Sequence, residues 1–326
     1  MKKLLLAVAL LFATSMLFSQ IQQQTCDGCS IQQLSPEYGM PFGNLSIVDQ
    51  IYGYNDAEVH QVGLGNYSRV TQFGFENAYV NQIGNGNTAI TEQHGFMDFG
   101  VINQTGSFNF AKQVSGNLIP WGTGYNSALA TQSGIGNLSF QTQNGYLNNA
   151  TVMQVGNGNY AEQNQFNPSY WFMPIPNYAS IVQMGIDNES KQDQVGGANF
   201  ATSYQTGWGN TAVSDQATYG WGMNTSFINQ IGGFFGGYNL ACVTQDAFGG
   251  TNISNISQVG SYNFADVNQD AGFMGMNAST ISQLGVFNSA CVTQDAFWGG
   301  MNTSFVDQVG MGNHALVTQS TAFMPF

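Results

Sequence analysis

Gln82-Ile83-Gly84-Asn85-Gly86-Asn87-Thr88-Ala89-Ile90-Thr91-Glu92-Gln93 decides the fold of this chain, because the pattern inside it returns about every eleven residues. The unit is Asn-x-(Ala or Ser)-x-(apolar or small polar)-x-Gln, often with Gly two residues after the Gln. Further copies run from Asn55 to Gln61, from Asn263 to Gln269 and from Asn313 to Gln319. An internal period fixes architecture before any single residue does. Gly and Asn tolerate positive φ and mark turns, so each unit reads as a strand of about seven residues followed by a turn of about four.

Alternate residues of a strand face opposite sides. Asn, Ala/Ser, the apolar residue and Gln therefore share a constant face, and the residues between them form a variable one. The charged side chains Asp49, Glu58, Arg69, Glu92, Glu162, Lys191, Asp193, Asp215, Asp266 and Asp307 all take the variable side. That is expected if the constant face is buried, and no charge is expected on it. A slip of one residue would bury the whole set. Two strands per turn of the coil give a rung of about 22 residues, lengthening to about 25 toward the C-terminus, where Ser-type and Ala-type units alternate. The expected fold is all-β: a two-sheet parallel β-solenoid (β-helix) of about 11–12 rungs, on the order of 55 Å long. Identical residues would stack from rung to rung, Asn on Asn and Gln on Gln, each amide donating to the next.

Composition agrees with this. Charged residues make up 7% of the 326 residues and the formal charge is -13. Low charge with abundant Asn and Gln favours β-stacking and self-association. Residues 1–19 read as a signal peptide, with Lys2 and Lys3 ahead of the apolar run Leu4 to Ala13. Without those two lysines the charge is near -15 (-13 less two positive charges). Arg69, Lys112 and Lys191 are then the only basic side chains, which argues against nucleic-acid binding. The apolar run is too short for a convincing transmembrane helix, so the protein is expected to be exported and not membrane-spanning. Residues 20–43 read as a flexible N-terminal leader, 44–319 as the repeat solenoid and 320–326 as a C-terminal tail. Insertions at 114–125 and 166–178 would bulge from turns, the second rich in aromatics.

The Gln-x-Gly-x-x-Asn-x-Ala-x-x-x-Gln pattern resembles the curlin repeat of curli fibre subunits. Gln82 to Gln93 and Gln308 to Gln319 match it in full, and the likeness runs over residues 44–319. The resemblance implies a secreted, cell-surface protein that polymerises into functional amyloid of the biofilm matrix and serves adhesion. It implies self as the partner in a homopolymer, a curli-type secretion channel and a nucleator, with the leader in the place of the secretion-targeting segment. It takes in main subunits, nucleators and minor fibre components alike. This chain is about twice as long as familiar members, opens many strands with Asn where they use Ser, and carries four cysteines.

No catalytic constellation is read from the sequence, and no enzyme, metal or cofactor is expected. Cys26 and Cys29 form a lone Cys-x-x-Cys pair with no partner residues to complete a zinc site. Cys242 and Cys291 occupy the same variable-face position two rungs apart, about 9–10 Å, beyond the roughly 7 Å a disulfide spans. His60, His94 and His314 lie on different rungs. The residues expected to matter are the ladder amides Asn55, Gln61, Asn87, Gln93, Asn263, Gln269, Asn313 and Gln319. The other reading is a soluble β-helical module binding ice or a glycan, but the exposed face lacks the regular Thr ladder that ice binding would use.

Overall fold

Small and β-branched residues alternating with variable ones, punctuated by Gly and Asn, dictate short paired strands. The computed structural model describes residues 20–25, 29–34, 43–51, 53–116, 124–168, 175–233 and 236–322, the first two segments as backbone only. It is all-β, with no helix among the described residues. In chain order the strands are β1 (Gln20–Thr25), β2 (Cys29–Leu34), β3 (Asn44–Ile51), β4 (Asp56–Leu64), β5 (Tyr67–Asn85), β6 (Thr88–Ser107), β7 (Phe110–Gly116) and β8 (Ser127–Ile135). Then come β9 (Leu138–Gly145), β10 (Asn148–Asn157), β11 (Tyr160–Asn167), β12 (Asn177–Ile186), β13 (Glu189–Val195), β14 (Asn199–Trp208), β15 (Thr211–Tyr219) and β16 (Met223–Gly232). The rest are β17 (Leu240–Phe248), β18 (Thr251–Ser261), β19 (Phe264–Ala271), β20 (Met276–Val286), β21 (Ser289–Phe297), β22 (Met301–Met311) and β23 (His314–Ala322).

The chain visits two sheets in turn, and every pairing between rungs is parallel. Sheet one stacks β1, β3, the first halves of β5 and β6, then every odd strand from β7 to β23. Sheet two stacks β2, β4, the second halves of β5 and β6, then every even strand from β8 to β22. From β3 onward this makes eleven two-strand turns and a last single strand, within the expected range. Register matches residue for residue, as in Gln132 beside Gln154 and Gln154 beside Gln183.

The core lies between the sheets and is thin. Val48, Val59, Val70, Val80, Ile102, Val152, Ile181, Ile228, Ile256 and Ile281 are buried there. Ala57, Ala89, Ala161, Ala241 and Ala265 beside them let the sheets approach closely. None of the variable-face charges named above is buried.

Two expectations need correction. Residues 20–43 are not a leader without repeat structure, because β1 and β2 pair in parallel with β3 and β4 and add a turn beneath the rod. β2 even follows the unit: Cys29 lies opposite Ala57, Ile31 opposite Val59 and Gln33 opposite Gln61. The 320–326 tail is in part strand, since β23 runs on to Ala322. Residues 1–19, Cys26 and the middle of each insertion, 117–123 and 169–174, lie outside the described residues.

Candidate functional site: amide columns and a terminal edge

Each strand places its Asn and Gln on the inner face, and the parallel register stacks them into columns. Every amide has a donor side and an acceptor side, so a column of like residues satisfies itself. In sheet two the glutamine column runs unbroken through Gln61, Gln82, Gln104, Gln132, Gln154, Gln183, Gln205, Gln230, Gln258, Gln283 and Gln308. Each Nε2 also donates to a backbone carbonyl, as Gln61 does to Leu45 at 3.3 Å. An amide buried without a partner costs about 1–3 kcal/mol, so the columns decide whether this polar interior is tolerable at all.

Sheet one carries the matching asparagine column. Asn87 Nδ2 donates to Asn66 Oδ1 at 3.1 Å, and Asn109 donates to Asn87 Oδ1 through both its backbone N–H and Nδ2, each at 3.1 Å. Asn263 receives Asn288 at 3.1 Å in the same column, and Asn313 closes it by donating to Asn288 at 2.9 Å. Gln93, Gln269 and Gln319 share the glutamine column of sheet one, but not without a break. Ser115 stands between Gln93 and Gln143, and Gln143 Oε1 has no partner. The glutamine of that copy has moved two residues earlier, where Gln113, Gln141, Gln163 and Gln192 form a short column of their own. Asn55 and Gln61 belong to sheet two, apart from the other six.

The expectation that the constant face carries no charge is overturned at two adjacent rungs. Glu76 and Asp98 occupy the asparagine column of sheet two, between Asn55 and Asn126, and both are fully buried. The Glu76 backbone N–H donates to Asn55 Oδ1 at 3.2 Å, and its carboxylate accepts from the N–H groups of Phe73 and Gly95. Asp98 Oδ1 accepts from the Asn126 N–H at 3.0 Å and from its Nδ2 at 3.1 Å. Burial, and then the neighbouring Asp98, push Glu76 up to about 8. Burial pushes Asp98 up to about 6 against the opposing hydrogen bonds from Asn126. The hydrogen bonds that these two acids accept all favour the ionised form, so burial, with the like charge beside Glu76, outweighs them. Counting six residues back from Gln82 and Gln104 would have located both acids in the sequence.

At the C-terminal end the inner face comes into the open. Ala315, Val317 and Gln319 lose the burial of their counterparts in β21, and Leu316 is 78% exposed. On the outer surface, aromatic side chains near the turns form rows. Tyr54, Phe75, Phe96 and Tyr125 follow one another with centroids 5.4–6.0 Å apart, and Tyr238, Tyr262 and Phe287 stack at 5.4 and 5.1 Å. These rows are not legible from the repeat, because their members sit at or near the corners of the coil, outside the repeating unit.

Cys242 and Cys291 are free thiols separated by the rung that carries Asp266. Burial and then Asp266 raise both thiol pKa values, which disfavours the reactive thiolate. Mass mapping without reductant is therefore expected to find no link between positions 242 and 291 within one chain. Such a link in a monomer would contradict the register.

No family model matches the chain, and no curated protein matches it.

Proposed function

We propose that this protein is a structural subunit of extracellular, curli-like amyloid fibres, built by end-to-end stacking of β-solenoids and contributing to biofilm matrix and adhesion. One observation carries the reading: columns of mutually bonded amides run along the rod and reach an exposed terminal strand, β23, with its pattern intact. An open strand edge is a template for another chain, and here the template includes side chains. The weakly charged, acidic surface and the curlin-like repeat support the same reading. A secretion channel and a nucleator are the partners this role implies.

The test uses purified protein incubated for days and followed by electron microscopy and an amyloid dye. Fibres are expected; a persistent monomer would sink the reading. Site-specific effects sharpen it. Replacing Asn313 or Gln319 by alanine is expected to slow fibre growth more than replacing His314 or Thr318, which lie on the variable face. Equal effects would show that inward amides do not template.

A further inference from the structure

The amide columns have a direction. Each glutamine Nε2 donates toward the C-terminal end, as Gln294 does to Gln319 Oε1 at 2.7 Å. From Asn87 onward each asparagine Nδ2 of the sheet-one column donates the other way, as Asn313 does to Asn288 Oδ1 at 2.9 Å. Beyond the rod, β23 therefore offers a donor at Gln319, whose bond to the Thr303 carbonyl uses one of its two amide protons. It also offers the Oδ1 of Asn313, which in inner rungs accepts from the next asparagine. β3 offers the complement. Among the described residues Gln50 Oε1 is buried without a partner, and Asn44 Nδ2 reaches only the Gln61 carbonyl, at 3.5 Å. A β23-to-β23 junction would instead set donor against donor.

What lies over β3 is β1, and its register departs from the unit at the asparagine, small-residue and apolar positions. Gln20 lies opposite Asn44, Gln22 opposite Ser46 and Gln24 opposite Val48. β2, by contrast, continues the columns of β4 with Cys29, Ile31 and Gln33. The sheets also alternate along the coil. After β22 in sheet two and β23 in sheet one, an unbroken coil needs a sheet-two strand and then a sheet-one strand. β2 followed by β3 supplies that order; β1 ahead of them is one strand too many.

We propose that a second copy of this chain docks head to tail, its β2 on β22 and its β3 on β23, and that β1 gives up its place on β3 to the incoming β23. The inference rests on the fibre reading and specifies its junction: Gln319 donates to Gln50 of the next copy, and Asn44 of that copy donates to Asn313. β1 is then a removable cap that slows growth until it is exchanged.

Two single variants test this, His314→Cys and Leu45→Cys, whose positions face each other when Asn313 is set over Asn44. They are mixed, assembled, oxidised and mapped without reductant. The expected result is a disulfide joining positions 45 and 314 in the assembled mixture, which can only arise between copies. A proline within β1, Gln23→Pro, weakens its pairing and is expected to shorten the lag of fibre formation severalfold. Fibres whose links join 314 to 314 or 45 to 45, or that carry no 45–314 link, would overturn the junction while leaving the fibre role intact. So would an unchanged or longer lag for Gln23→Pro. A mixture that stays monomeric would remove the fibre reading and the junction together.

Discussion

Gly156→Ala is expected to destabilise the rod by about 2–5 kcal/mol, the sum of a strained backbone at ~1–2 and overpacking at ~1–3. Gly156 has φ +119°, and a Cβ there would stand 1.9 Å from the carbonyl oxygen of Gly185 in the next rung. Gly185 bears the same relation to Gly207, so the turn is a column of glycines as strict as the amide columns. Because a solenoid rung contacts only its neighbours, the damage should be local. Hydrogen exchange is expected to show lost protection in β8, β10 and β12 first. Gly310→Ala is the control. Its φ is similar, +115°, but the nearest atom to a new Cβ is Asn313 Nδ2 at 3.7 Å. It should show the backbone cost alone, about 1–2 kcal/mol. Denaturant unfolding compares the two, and equal losses would contradict the rung-on-rung stacking.

The second large effect is on pH. Glu76 and Asp98 titrate higher in the folded rod than in the unfolded chain, so their contribution to stability is fully present below about pH 4. It is lost as the pH rises through about 6 and about 8. In that window the unfolded chain has released protons that the folded one retains. Each pH unit above the ordinary Glu value of 4.5 costs about 1.4 kcal/mol until the folded pKa near 8 is reached, so holding Glu76 protonated at pH 7 costs ~3 kcal/mol. Asp215, Asp266 and Asp270 are also raised by burial and push in the same direction. Burial works to raise Glu162, but hydrogen bonds from Asn164 and Tyr160 and the charge of Lys191 together lower it, so it opposes the three aspartates. Glu76→Gln with Asp98→Asn removes both titrations, and leaves one of the two N–H groups of Phe73 and Gly95 without its acceptor. The double variant is expected to gain on the parent by a few kcal/mol as the pH rises from 4 to 7. Parallel stability curves from pH 4 to pH 8 would show that the pair is not held protonated.

These two effects mark what the sequence made legible and what it did not. The strand phase, the buried face and the stacking of like residues follow from a period repeated in register, because each copy constrains the next. Departures from the period were harder to see. Glu76 and Asp98 hide because a search for Asn passes over an acid that stands at the asparagine position. β2 hides because cysteine stands where alanine is usual, although Ile31 and Gln33 keep the phase. The step at Gln113 and Ser115 exchanges one column for another, which a reading of single units cannot distinguish from decay of the pattern. The aromatic rows depend on turn geometry. Tyr238, Tyr262 and Phe287 adopt φ of 47°, 57° and 57°, where Gly86, Gly158 and Gly209 stand in other rungs. Stacking between the rings offsets part of the cost of that left-handed conformation.

Fibre diffraction from aligned assemblies of the purified chain tests the central claim most directly. Solenoids stacked end to end with continuous amide columns should place the strand-to-strand spacing, about 4.7–4.8 Å, on the meridian, along the fibre axis. The same reflection on the equator, from rods lying across the fibre, or its absence from the material, would contradict the account.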